Sequence, residues 1–486
     1  MTGDYESKLD EIEAHLEDLA AAEGEDVFDL YYRHADVDTA AHEKRKRDYL
    51  LQPEVTETCD NLLESSEDTA LRRRARIVRN WVNEMRAQTD EIIDLQAEIQ
   101  KIVIATKPVL DGEEIPRHQK TKIIFKNDDR ERRRRALFSE GPLREQLAAR
   151  ARNLYRLRND AARALGYDDY PSLALAAEDL TVAELRAIFD TYENESREAY
   201  EKLAAEGCAR FGFERLEPWD LNYVTEKLTC ADDKYFPRAK ALPSLREVVR
   251  QFGRDLDGLG IPIHEDADIP YAGLCFSIRA PEDVRILVNL QDGLTDLVTL
   301  YHEFGHAAHR KFVQRASYAL KAGDAGFFAE AMADTWGLLV VRPAWLRAFT
   351  EMPAEERERV TAAAEMAYAS RIRRFIARQD FELAAYADAD GDLAAALDEG
   401  AERFLGFRYD DPEYWAEQYF PLLYPVYSKN YMLARVIQRS IHRHLEGEYG
   451  ELLGEPKVFD FLVENFYADG ALLTWKEKLA AVGLKL

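Results

Sequence analysis

In Tyr301-His302-Glu303-Phe304-Gly305-His306-Ala307-Ala308-His309, two histidines stand four residues apart within a run of helical spacing. On a helix such a pair projects from one face, so His302 and His306 can take two corners of a tetrahedron around a metal ion. Glu303 lies one residue round from His302. That puts its carboxylate beside the metal rather than on it, where it can accept a proton from water. The chain has only 10 histidines, so the spacing is an infrequent accident. His309 shares the same face and reads either as a supporting residue or as a packed one.

A third ligand must come from elsewhere, because the spacing His-x-x-Gly-x-x-His is absent after His306. Downstream, Phe327-Phe-Ala-Glu330-Ala-Met-Ala-Asp334-Thr-Trp336 reads as a second helix with Glu330 and Asp334 on one face. Glu330 completes a two-histidine, one-carboxylate set of the open type that leaves a position for water. Asp334, a turn on, is placed to accept the free ring N–H of a ligand histidine. Carboxylates among residues as apolar as Phe327, Phe328, Met332 and Trp336 need a partner.

Around this centre the apolar spacing is mostly helical. Helical patterning runs from Tyr5 to about Thr106, then over about 142–165, 181–206 and 244–258, and again from Phe327 onward. Pro108 to Pro116 reads as a loop. Tyr271–Arg279 and Asp283–Asn289 break the pattern and read as a β-hairpin or a piece of small sheet. With 17 Pro, 24 Gly and no linker-like tract, residues 1–486 read as one large helical body. Within it, 1–140 is expected to be an N-terminal lobe or lid and 150–440 the catalytic region. His442 and His444 stand two apart and point apart on a helix, which makes metal binding there improbable.

The net charge of −26 repels phosphates and anionic lipid, so nucleic acid and membrane surfaces are excluded as partners. Acid excess with little Lys is also what halophilic adaptation to concentrated salt would produce. Arg130–Arg135, with five arginines and one Glu, reads as a solvated, internally paired helix face rather than a nucleic-acid site. No stretch reaches the roughly 18 apolar residues of a membrane span, and Met1-Thr-Gly-Asp-Tyr-Glu-Ser does not read as a signal peptide. The four cysteines show no CxxC pair and read as free thiols of a reducing cytoplasm.

At the metal motif the chain resembles the gluzincin zinc oligopeptidases. His302 to His309 is similar to the thimet oligopeptidase and oligopeptidase F family, and Glu330-Ala-Met-Ala-Asp334 is similar to angiotensin-converting-enzyme-like dipeptidyl carboxypeptidases. Leu157-Arg-Asn-Asp-Ala, Leu165-Gly-Tyr167 and Pro218-Trp219-Asp220 with Tyr223 extend the resemblance over roughly 150–440. It implies a mostly α, two-lobed ellipsoid with a central substrate channel and a small β-sheet beside the zinc helix. Cys275 to Ile278 would be the sheet edge that takes substrate by strand addition. It also implies one Zn2+ per chain, short peptide substrates and an oxyanion-stabilising tyrosine, with Tyr431 the first choice and Tyr427 the second. The family places a histidine and a Gly-rich run before that tyrosine. Glu417 to Leu423 here contains neither, and losing such a donor costs on the order of 10² to 10³ in rate.

The expected activity is zinc-dependent hydrolysis of peptide bonds, in oligoendopeptidase or dipeptidyl carboxypeptidase mode. Lys429 and Arg435 are the candidates for a clamp on a substrate carboxylate. The alternatives are a non-catalytic peptide-binding protein on the same fold and a zinc hydrolase of a non-peptide amide.

Overall fold

The computed structural model describes residues 2–265, 268–269 and 271–486, with side chains from Asp4 onward; Met1, where the N-terminal reading begins, lies outside them. Four helices, Thr2–Tyr32, Thr39–Leu50, Pro53–Ser65 and Thr69–Ala87, follow the N-terminal apolar spacing. Their starts are set locally. Asp38 and Asp68 accept from the first free backbone N–H groups, and Pro53 opens its helix where no N–H is needed. Leu9, Leu16, Leu50, Leu62, Val78 and Val82 form a separate apolar core that closes against Ala319, Leu320 and Ala471. Most buried apolar residues from Ala87 onward belong to the main core.

The structure is mostly helical, as the spacing predicts. Helices Gly141–Ala164 and Val182–Phe211 agree closely with expectation. The helix expected to reach 258 ends instead at Gln251, where Gly253 takes φ 76° and turns the chain. The segment after Pro108 is not all loop: β1 (Val109–Leu110) and β2 (Glu113–Glu114) pair as a short antiparallel ribbon.

The expected hairpin is present and carries a third strand that alternation does not reveal. β4 (Gly273–Arg279) pairs antiparallel with β5 (Asp283–Val288), and β3 (Ile263–His264) adds parallel on the other side. The order β3-β5-β4 leaves β4 outermost. Phe28, Ile269, Ile278 and Leu287 bury one sheet face against the N-terminal helix. Arg279 pairs with Asp18 at 2.7 Å and Arg285 with Glu25 at 2.9 Å, fastening that helix to the sheet.

The centre of the molecule is a stack of three helices. The motif helix Leu294–Lys311 packs on Gly326–Gly337 (the Glu330 helix), which packs on Ser428–Tyr449 (the tyrosine helix). The long helix Ala354–Ala387 lies against the tyrosine helix. Phe304, Phe327, Phe328, Met332 and Trp336 are all buried between them. Each contributes roughly 1.5–3 kcal/mol of burial, so apolar packing holds the polar site in place. The Phe304 ring meets Trp336 edge-on at 4.8 Å, and the Trp336 indole N–H donates to the Tyr467 hydroxyl at 3.2 Å. Among the described residues no helix is long and apolar enough to cross a membrane.

Candidate metal centre

The motif helix brings the His302 and His306 rings to 4.7 Å, nearly perpendicular. Glu330 reaches them from the second helix: its two carboxylate oxygens lie 3.4 Å from His302 Nε2 and 3.8 Å from His306 Nε2. With metal–ligand bonds near 2.0–2.1 Å, the edge of a tetrahedron is about 3.3 Å. The donor atoms therefore stand close to the separations one small divalent ion requires. This is the one such group among the described residues.

Small residues allow the approach. A side-chain carbon at Gly305 would fall 2.7 Å from the Ala333 Cα, and one at Gly337 would fall 3.2 Å from the His302 Cβ. The helices can close to this distance only because both positions lack side chains.

The field at the site favours a cation. Burial opposes charge on His302, but the hydrogen bonds it donates to Asp334 and Glu330 and the charges of Asp334 and Glu303 overcome it and raise the imidazole to about 10. His306 moves well down instead, through burial and the charges of His302 and Arg310. Carboxylates converging from two helices give the centre excess negative charge, and the donor set fits a zinc-type ion.

Asp334 accepts from His302 Nδ1 at 3.0 Å and from Arg435 Nε at 3.1 Å. That pairing keeps a proton on Nδ1 and turns Nε2 to Glu330, so a metal taken up between them would displace the Nε2 proton. Burial raises the Asp334 carboxyl, but Arg435 and His302 hold it below its usual range.

Glu303 points away from the three donor groups toward the sheet. A side-chain carbon on Gly273 would fall 2.8 Å from Glu303 Cγ, so the bare glycine leaves room for the carboxylate. Burial pushes Glu303 up to about 7; Glu330 adds to the rise, while His302 and the Cys275 backbone N–H oppose it.

Tyr427 and Tyr431 stand at the start of the tyrosine helix, ring centres 5.4 Å apart. Burial and then the charge of Glu330 raise both phenols, Tyr427 to about 12. Tyr431 stacks on Phe375 at 5.2 Å and keeps 37% of its surface exposed. Near them the Tyr424 ring is 6.3 Å from that of Tyr427 and mostly exposed.

Several residues have other partners than their sequence suggests. His309 is fully buried, with Nε2 3.2 Å from Asp324, whose other oxygen accepts from Lys478 at 2.8 Å. It is thus a packed histidine. Neither clamp candidate is free: Lys429 pairs with Glu178 at 2.5 Å and Arg435 with Asp334. Arg371 makes no hydrogen bond or ion pair among the described residues. It is exposed one turn before Phe375, and neighbouring Arg435 pushes its guanidinium down to about 10. Its isolation has no local signal in a chain rich in arginine. The Arg130–Arg135 run is not the internally paired face expected: Arg130 and fully buried Arg133 share buried Asp220 at 2.6 and 2.8 Å, Arg135 holds Asp111 at 2.8 Å, and Arg134–Glu131 at 3.6 Å is the pair within the run among the described residues.

No family model matches the chain. One segment is similar to Oligopeptidase A of Salmonella typhimurium, 29% identical over 145 residues, covering 27% of this chain. The match spans about a fifth of that relative's length (19%). The whole structure is similar to a carboxypeptidase of Pyrococcus furiosus, with TM-score 0.65 and 14% identity over 99% of this chain and 95% of that one. It is similar also to the M32 carboxypeptidase of Deinococcus radiodurans R1, with TM-score 0.64 and 16% identity over 98% and 94%. At these identities the likeness is one of fold.

Proposed function

We propose that the chain is a zinc-dependent peptidase of short peptides, with one zinc held by His302, His306 and Glu330 and with Glu303 as general base. The observation that carries this is the meeting of one carboxylate with two imidazoles at 3.4 and 3.8 Å, beside a half-buried Glu303 raised to about 7. The fold likeness to two carboxypeptidases and the segment likeness to an oligopeptidase support peptide bonds as the target.

When bound, zinc supplies Lewis acidity that acidifies water and polarises a carbonyl. Glu303 takes the proton of the attacking water and returns it to the departing amine, and a carboxylate near neutrality suits both transfers. Tyr431, with Tyr427 second, donates a hydrogen bond to the carbonyl oxygen as negative charge builds there. β4, the outer strand beside the motif helix, offers backbone groups to an extended peptide. Residues 1–140 act as a lobe over the 150–440 catalytic region. The four unpaired thiols support a reducing compartment such as the cytoplasm.

Within this class, the charges favour trimming from the carboxyl end over internal cleavage. Arg371 and Arg378, both exposed, flank Phe375 on the long helix and form no side-chain hydrogen bond or ion pair among the described residues; of these two cations for a substrate carboxylate, Arg371 is the first choice.

The test is to purify the chain in high salt, measure bound zinc and incubate it with a mixed library of short peptides read by mass spectrometry. About one zinc per chain with loss of C-terminal residues supports the reading, and internal cleavage reassigns it to an oligoendopeptidase. Zinc without cleavage moves the function to peptide binding on the same fold or to another amide.

A further inference from the structure

The turn carrying the tyrosines holds an improbable backbone. Val426, between Tyr424-Pro425 and Tyr427, takes φ 55° and is 1% exposed. A β-branched residue strongly disfavours this left-handed region, so the conformation persists only if its surroundings impose it.

The surroundings are buried polar side chains from separate helices. Glu382 and Gln379, both on the long helix and both fully buried, form a pair in which Gln379 Nε2 donates to Glu382 Oε2 at 2.9 Å. The other Glu382 oxygen accepts from the Val426 N–H at 2.6 Å, and Gln379 Oε1 accepts from the Lys429 N–H at 2.9 Å. Arg158, fully buried, donates to the Leu422 carbonyl at 2.7 Å and the Pro421 carbonyl at 3.3 Å. Gln96 accepts from Arg158 at 2.8 Å and donates to the Leu423 carbonyl at 3.2 Å. The backbone from Pro421 to Lys429 is thereby anchored on both sides of Val426.

The cost of burying Glu382 shows that the anchor is no packing accident. Burial raises its carboxyl to about 7 against the pull of the Val426 N–H and Arg158, and an apolar residue there would avoid that cost.

We infer that the buried Gln379–Glu382 pair is a positioning device that imposes the left-handed turn at Val426 and so sets where the Tyr427 and Tyr431 hydroxyls stand relative to Glu330. The pair lies outside the metal donor set and acts through the turn. The catalytic arm of its test rests on the peptidase reading; the structural arm does not.

The experiment places 3-fluorotyrosine at position 427 alone in the full metal-loaded chain and records its fluorine resonance, zinc content, kcat and KM. Glu382→Leu should displace the resonance, keep zinc bound and lower kcat about 10- to 100-fold with KM little changed, as a small misplacement of a reacting group does. Glu382→Gln keeps an acceptor for the Val426 N–H and should retain most of the native resonance. The deciding variant is Glu382→Leu with Val426→Gly: glycine enters the left-handed region freely, so resonance and rate should return without the anchor. A native resonance in Glu382→Leu, a Glu382→Gln resonance as displaced as that of Glu382→Leu, or a folded double variant that stays displaced would overturn the inference. If the parent chain shows no cleavage, the peptidase reading fails while the fluorine arm still decides this one.

Discussion

Gly305 and Ala333 are in backbone contact: a side-chain carbon on Gly305 would lie 2.7 Å from the Ala333 Cα and 2.8 Å from its carbonyl oxygen. Gly305 sits between Glu303 and His306, and Ala333 between Glu330 and Asp334, so this contact sets the distance between the donor groups. Gly305→Ala should therefore act on the site as well as on the fold. The expected cost is about 1–3 kcal/mol, typical of overpacking, with metal affinity falling at least about tenfold as the donors separate. Thermal unfolding and competition with a chelator measure the two effects; unchanged metal affinity in a destabilised variant would uncouple the contact from the site.

Glu303 lies outside the donor set, with its carboxylate toward the sheet, so charge and chemistry can be separated there. Glu303→Gln should bind zinc as before and lose at least about 10²-fold in kcat, the lower range for a general base. Turnover near the parent value would remove Glu303 from its role.

The two tyrosines make a paired prediction. Tyr431→Phe should lower kcat about 10² to 10³-fold with KM little changed, as loss of an oxyanion donor does. Tyr427→Phe should cost less, and the reverse order would transfer the role to Tyr427.

Arg371 discriminates between modes of cleavage. Arg371→Ala should raise KM for peptides with a free C-terminus about 10- to 100-fold, the worth of a hydrogen bond to a charged group. Peptides ending in an amide should be indifferent to it. Equal effects on both would exclude a carboxylate contact.

His442 predicts a pH dependence of stability. It is buried, with Nε2 2.8 Å from the Thr335 carbonyl and Nδ1 2.9 Å from the Gln438 amide, and burial drives it down to about 3. The folded chain keeps it neutral, whereas the unfolded chain protonates it below about 6.5. Its contribution is therefore complete above pH 6.5 and declines as pH falls toward 3. His442→Gln should cost about 2 kcal/mol at pH 7.5 for the lost hydrogen bonds. By pH 5 the gap to the parent chain should narrow by about 2 kcal/mol. Denaturant unfolding at the two pH values checks this, and a constant gap would mean His442 titrates alike in both states.

The amino-acid order by itself determined what depends on neighbours along the chain. Helical periodicity makes His302 and His306 share a face, puts Glu303 a step round from them, and pairs Glu330 with Asp334; the β-branched and apolar runs Tyr271–Arg279 and Asp283–Asn289 predict a hairpin or a piece of small sheet. The two short helices' meeting was legible for a similar reason, since buried carboxylates among Phe327, Phe328 and Trp336 require partners. Tertiary structure alone decided which charge meets which. Lys429 and Arg435 look like free cations in sequence, yet Glu178 and Asp334, far from them along the chain, neutralise them. Arg371 is left without an ion-pair partner among the described residues, and His309 turns to Asp324 instead of joining the metal donors. The left-handed turn at Val426 has no sequence signal at all, because valine is a residue that turn disfavours. Local spacing repeats every few residues and can be read from residue order, but the ion pairs of Lys429 and Arg435 and the imposed angle at Val426 depend on groups far apart along the chain, such as Glu382 and Val426, which only packing brings together.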